Sequence, residues 1–173
     1  MKTLILGGVR SGKSRLAQQC ALDSGLPVSY IATARAEDDE MLQRIEQHRN
    51  HRPADWLLVE EPLALAETLL THAAPSRCLL VECLTLWLTN LLLDEDAQRL
   101  AQEKRALLAL LPTLPGEIIL VTNETGLGVV PMGELSRRFC DEAGMLHQAI
   151  AQRCDRVVLT VAGLPHVLKQ PEQ

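Results

Sequence analysis

Hydrophobic and polar positions along the chain switch between two periods. Lys2-Thr-Leu-Ile-Leu6 is a short apolar run that stops at Gly7-Gly8, and Lys13 to Asp23 follows with Leu16, Cys20 and Ala21 at helical spacing. The alternation then recurs. Val28 to Ala32 is strand-like, Glu37 to Asn50 helical, Trp56 to Glu60 strand-like, and Pro62 to Ala73 helical with Pro62 suited to a first turn. Cys78 to Cys83 is another apolar run, followed by predicted helices over Leu84 to Leu93 and Ala97 to Leu111. Glu117 to Thr122 reads as a strand, Gly133 to Arg153 as a helix, and Arg156 to Val161 as the last strand, with a loose tail from about Lys169. Strands alternating with helices predict an α/β fold whose mainly parallel sheet carries helices on both faces. Connections such as Ala74 to Ser76 and Pro112 to Gly116 are short, and no repeat or interdomain linker interrupts the pattern.

Composition narrows this picture. The 173 residues correspond to about one domain, spanning 1–173. Seventeen Lys and Arg against twenty-two Asp and Glu leave a net charge of −5, which argues against a nucleic acid as partner. The few aromatics, Tyr30, Trp56, Trp87 and Phe139, offer no stacking platform for single strands either. Cys20, Cys78, Cys83, Cys140 and Cys154 are scattered without a C-x-x-C pair, and the N-terminus has no signal-like segment. A reduced, cytoplasmic protein is expected. The most apolar stretch, Cys78 to Leu93, is broken by Glu82 and is too short and mixed to span a bilayer.

Candidate chemistry begins at the first turn. Gly7, Gly8, Val9, Arg10, Ser11, Gly12, Lys13 and Ser14 satisfy G-x-x-x-x-G-K-[ST] between the first strand and the first helix, where such a loop has to lie. Glycines let successive backbone N–H groups wrap phosphate oxygens, Lys13 neutralises β/γ charge, and Ser14 is placed to ligate Mg²⁺. A single-domain P-loop NTPase-like fold is therefore predicted. Such a site needs a second acidic group at the end of a neighbouring buried strand, and Glu82, the one carboxylate of Cys78-Leu-Leu-Val-Glu82, fits it; capping of the following helix is the alternative. Asn123 and Glu124 follow a later strand to the same sheet edge and are weaker candidates for ligand contact.

His48 shares a helical face with Met41 and Ile45. A lone His on an apolar stripe is ordinarily structural. The cluster of His48, Arg49, His51 and Arg52 changes that, because positive charge gathered in an acidic protein suits triphosphate or leaving pyrophosphate. A neutral imidazole there is placed to attack phosphorus, with His51 as the rival nucleophile. His72, His147 and His166 have no comparable setting and read as structural or surface residues.

Taken together, Gly7 to Arg15, Tyr30-Ile-Ala-Thr-Ala34, Asp38 to Met41, Arg44-Ile45, His48-Arg49 with Arg52-Pro53, Trp56 with Glu60-Glu61, Leu80 to Leu84 with Thr89-Asn90, and Val121 to Pro131 resemble one family. This is the bifunctional adenosylcobinamide kinase/adenosylcobinamide-phosphate guanylyltransferase family of cobalamin biosynthesis. The likeness covers nearly the whole chain, and its T-N-E-x-G-x-G-x-V-P and H-R-x-x-R-P segments are far more specific than the P-loop. It implies phosphorylation of the aminopropanol hydroxyl of adenosylcobinamide by ATP or GTP. Transfer of GMP from GTP to that phosphate, through a GMP-histidine, then gives adenosylcobinamide-GDP. Carried over residue by residue, the nucleophile is His48, and Arg49, Asn50, His51 and Arg52 surround the nucleotide. Gly8 to Arg15 form the phosphate loop, Thr33 and Ala34 the loop after the second strand, and Glu60 (or its neighbour Glu61) and Glu82 are further contacts. Family members form homotrimers, so a homo-oligomer is implied. The rivals are a simple P-loop small-molecule kinase without nucleotidyl transfer and a non-catalytic GTP-binding regulatory module, although the chain has no N-K-x-D sequence for guanine.

Overall fold

Lys2–Gly7 forms strand β1, and its Leu4, Ile5 and Leu6 are buried on both faces, as the centre of a parallel sheet requires. The structure, a computed structural model, describes residues 1–35 and 53–171. The other strands are β2 (Val28–Ala32), β3 (Leu57–Glu60), β4 (Cys78–Glu82), β5 (Glu117–Asn123), β6 (Arg156–Val161) and β7 (Leu164–Lys169). They form one sheet in the order β3-β2-β4-β5-β1-β6-β7, parallel except for the antiparallel β6–β7 pair. The α/β reading and its mainly parallel sheet are thus observed.

Helix α1 (Lys13–Asp23) covers one face, where Ala17 and Ala21 pack with Ile5, Tyr30, Trp56, Leu80, Ile119 and Val121. Small alanines let this helix lie close to the strands. The opposite face carries α2 (Leu65–His72), α3 (Leu84–Leu92), α4 (Arg99–Leu110) and α5 (Glu134–Arg153), around a core that includes Leu69, Trp87, Leu107, Leu146 and Ile150. Trp87 is fully buried and its indole N–H donates to the Leu63 carbonyl at 2.8 Å, satisfying the one polar atom it brings inside. Among the described residues no helix is long and apolar enough to cross a membrane.

Element types agree with the periodicity, and the departures have local causes. The helix expected from Pro62 begins at Leu65, because Glu61 Oε1 accepts the N–H groups of Leu63 and Ala64, each at 2.8 Å, and holds a turn ahead of it. The helix expected from Ala97 begins at Arg99, since Asp94 and Asp96 accept the N–H groups two residues on and keep the chain in turns. At the other end Leu111–Thr113 tightens into a 3-10 turn around Pro112. Arg156 to Val161 is not the last strand: Ala162 (φ 52°) and Gly163 (φ 80°) make a two-residue turn, and β7 runs back along β6 as far as Lys169. The strand ends at Lys169, the residue from which a loose tail was expected. The predicted helix Glu37 to Asn50 lies outside the described residues.

Candidate active site

The parallel strands end on one edge of the sheet, and the predicted groups gather there. β1 ends at Gly7, and the chain turns through Arg10 (φ 57°) and Gly12 (φ 94°) before α1 begins at Lys13. The turn is closed by the Ser11 N–H on the Gly8 carbonyl at 3.2 Å, and Lys13 Nζ donates to that same carbonyl at 3.3 Å. Gly12 provides no side-chain cap, so the first N–H groups of α1 stay directed into the loop, the arrangement that receives phosphate.

The loop is backed by a part of the chain in which the sequence displays no motif. The Gly163 N–H donates to the Ser11 carbonyl at 2.8 Å, and a Cβ on Gly12 would stand 3.1 Å from the Gly163 Cα. The β6–β7 turn therefore braces the phosphate loop from behind. Its only sequence signal is Ala162-Gly163 between two apolar runs.

Glu82 stands at the end of β4. That strand is not the neighbour of β1, since β5 lies between them, yet Ser14 Oγ donates to Glu82 Oε1 at 2.6 Å. The contact joins the two residues singled out for a cation. In the β3–β2–β4 register, Glu60 and Glu82 flank Ala32, which packs on the α1 side, so both carboxylates occupy that face about 10 Å apart, two strand spacings. Glu61, the alternative to Glu60, points away into its turn with Leu63 and Ala64.

Thr33 is fully buried and engaged: its hydroxyl donates to the Cys83 carbonyl at 2.7 Å and accepts the Cys83 N–H at 2.9 Å, and its carbonyl takes an Asn90 amide hydrogen at 2.8 Å. It locks the end of β2 to the end of β4, leaving the half-buried Ala34 next in line. Burial pushes the Cys83 thiol pKa up and keeps it protonated.

On the opposite face, behind β5, lies a polar cluster that sequence reasoning did not assemble. His147 of α5 is 8% exposed, and its Nε2 is 2.9 Å from Thr122 Oγ1, which in turn is 3.3 Å from Thr85 Oγ1. Its Nδ1 is 3.8 Å from Glu124 Oε2. Burial lowers the His147 pKa, and the Glu124 charge opposes this less strongly. Thr85 Oγ1 accepts the Asn123 N–H at 2.7 Å, and the Glu124 N–H donates to the Gly7 carbonyl at 3.0 Å. His147, read from sequence as structural or surface, is thus buried support for the strand end beside the phosphate loop. His48, Arg49, Asn50, His51 and Arg52 lie outside the described residues.

Comparison with known proteins bears on this geometry. A family model described as cobinamide kinase / cobinamide phosphate guanyltransferase matches residues 3–168. The chain is 69% identical over 169 residues to the bifunctional adenosylcobalamin biosynthesis protein CobP of Pseudomonas aeruginosa, covering 98% of each chain. It is 41% identical to the corresponding protein CobU of Escherichia coli K12, over 95% of this chain and 97% of that one. Among solved structures, one from Pyrococcus horikoshii OT3 shares the fold with a TM-score of 0.55 at 10% identity, over 99% of this chain and 87% of that one.

Proposed function

The chain belongs to the cobinamide kinase / cobinamide phosphate guanyltransferase family, and on that premise we propose how its residues divide the two reactions. The observation that carries the proposal is the 2.6 Å contact between Ser14 and Glu82 at the mouth of the phosphate loop. Ser14 Oγ and the Glu82 carboxylate are hard oxygen donors of the kind Mg²⁺ takes, brought together at one place. Ser14 and Glu82 would hold the ion, which when bound neutralises charge shared between β- and γ-phosphate oxygens.

In the kinase step Lys13 and the loop N–H groups from Gly8 to Arg15 position ATP or GTP. The aminopropanol hydroxyl of adenosylcobinamide attacks the γ-phosphorus in line with the departing bridging oxygen. Positioning and charge stabilisation carry most of this barrier, and a rigid loop braced by Gly163 provides both. In the guanylyl step a neutral His48 imidazole attacks the α-phosphorus of GTP, forming an N–P bond as pyrophosphate leaves. An oxygen of the substrate phosphate then displaces GMP from the histidine. Two displacements give net retention at phosphorus and split one difficult transfer into two easier ones. Arg49, Asn50, His51 and Arg52 are assigned to the triphosphate, and Thr33, Ala34 and Glu60 to the rim of the nucleotide site.

Glu60 is assigned in preference to Glu61 because the register places it level with Glu82 on the same face, whereas Glu61 turns to the N–H groups of Leu63 and Ala64. The homotrimer implied by the resemblance belongs to the same proposal. Its support is the exposed apolar run after β5, in which Val129 and Met132 are 97% and 96% exposed.

The test is covalent labelling. Wild type and His48→Ala are incubated with Mg²⁺ and α-labelled GTP, denatured, and examined for protein-bound label lost in acid and kept in base. Label on wild type alone is the expected result. No label on a folded wild type that binds GTP refutes the covalent step and leaves a simple kinase; equal label on both moves the nucleophile to His51.

A further inference from the structure

Among the described residues, the buried side-chain polar atoms without a hydrogen-bond partner are Ser11 Oγ, Asn123 Oδ1 and Thr160 Oγ1. They are not scattered. Asn123, Gly7 and Thr160 stand side by side in the β5–β1–β6 register, and Ser11 Oγ lies directly over Gly7, 2.4 Å from where a Cβ would be. All of them therefore sit at the level of the phosphate loop. Leaving a buried polar atom unpaired is costly; the two hydroxyls can donate to an anion as they stand, and the Asn123 amide can do so once its NH₂ takes the place that Oδ1 now holds.

Asn123 is placed differently from the other two. Thr160 is on the β6 side of Gly7, its methyl 3.9 Å from the position a Gly12 Cβ would take, under the loop and away from Glu82. Asn123 is on the β5 side, between the strand of Gly7 and the strand of Glu82. Alternation along β5 puts it on the face of Val121, which packs with α1, and thus on the same face as Ser14 and Glu82. Its backbone is held from both sides, by Thr85 Oγ1 on its own N–H and by the Glu124 N–H on the Gly7 carbonyl. The strand end is fixed, while no donor among the described residues holds the amide in the orientation that turns its oxygen inward.

We propose that the Asn123 side-chain amide is a catalytic group of the kinase step, donating from its NH₂ to the terminal phosphoryl group of the nucleotide. The last torsion of an asparagine is broad and two-fold, so the amide turns its NH₂ inward at little cost when an anion arrives. Lys13 and Ser14 mark where β- and γ-phosphates lie, and Asn123 flanks that space from the side opposite the β6–β7 turn. A neutral donor fixed beside the γ-phosphoryl meets the equatorial charge that grows during transfer and adds no positive charge that would hold product. His147, Thr122 and Thr85 act through the strand as positioning residues. This inference rests on the kinase reading above.

The test compares wild type, Asn123→Ala and Asn123→Asp in Mg²⁺-dependent binding of ATP and of ADP by calorimetry, in kinase turnover, and in thermal midpoint without nucleotide. ATP affinity is expected to fall about 10- to 100-fold in Asn123→Ala, the worth of a hydrogen bond to a charged group, with ADP affinity within about threefold. Asn123→Asp, of equal shape but anionic, should lose more ATP affinity than Asn123→Ala, and kcat should fall in both. Without nucleotide, Asn123→Ala should melt no lower than wild type, because the backbone bonds remain and an unpaired polar atom is gone. Equal losses for ATP and ADP, an Asp variant with near wild-type turnover, or a midpoint more than about 5 °C lower for the alanine variant would each overturn the assignment. A wild type that binds ATP but does not phosphorylate cobinamide refutes the kinase reading instead.

Discussion

The paired glycines at the start of the loop look interchangeable in sequence and differ in structure. A Cβ on Gly7 would stand 2.4 Å from Ser11 Oγ and 2.8 Å from the Thr160 carbonyl, whereas one on Gly8 would meet nothing within 4 Å. Ser11 can rotate its hydroxyl away. The Thr160 carbonyl cannot move without shifting β6, which is paired with β1 in this register. Gly7→Ala is therefore an overpacking substitution costing about 1–3 kcal/mol, or roughly 3–10 °C in Tm for a chain of this size. Gly8 has no positive φ to strain. Gly8→Ala should remain within about 0.5 kcal/mol of wild type, with a small gain from restricting the unfolded chain. Urea titrations without nucleotide measure both. Adding Ser11→Gly to Gly7→Ala should recover less than half of the loss, because the backbone contact persists. Equal losses for the two alanine variants, or full recovery in the double variant, would refute the steric argument.

Two further outcomes follow from the site. Ser14→Ala and Glu82→Gln should each lower kcat/KM at fixed Mg²⁺ by about 10²-fold, equivalent to roughly 2.7 kcal/mol, and shift the Mg²⁺ titration of initial rates to higher concentration. Unchanged Mg²⁺ dependence in both would remove the cation from this contact. The second outcome concerns pH. The His147 pKa is held below its ordinary 6.5 in the folded chain. As pH falls through 6.5 the unfolded chain takes up a proton that the folded chain does not, so stability falls. Between about pH 7 and pH 5, His147→Gln should lose less stability in urea than wild type does; parallel curves would show that the imidazole is not depressed.

Most of the architecture was legible because the signals were local. Val28–Ala32 and Lys13–Asp23 appear with the predicted bounds, since a buried parallel strand is a continuous apolar run and α1 is announced by the loop before it. Errors fell where a side chain competes with the backbone. Glu61, Asp94 and Asp96 each capture N–H groups that a helix would otherwise have used, and periodicity does not register such bonds. β7 was missed for a different reason. All its residues are exposed, so no alternation of apolar and polar positions marks it, and only the positive φ of Ala162 and Gly163 makes the turn that returns it to β6.

The site divides along the same line. Residues that chemistry demands by type, Lys13, Ser14 and Glu82, could be named from a motif and a lone carboxylate in an apolar run. What the motif could not convey is lateral order. Glu82 reaches Ser14 across an intervening strand, and that strand brings Asn123 in between. Sheet order is a long-range property, so Asn123 read from sequence as the weaker candidate beside Glu82. Once β5 is known to separate β1 from β4, the ranking changes: Glu82 is already hydrogen-bonded to Ser14, while Asn123 alone on that strand has a buried polar atom with no partner. An amide that no donor among the described residues holds, on a strand end fixed between the phosphate loop and the strand of Glu82, supports a ligand contact that residue type by itself cannot give.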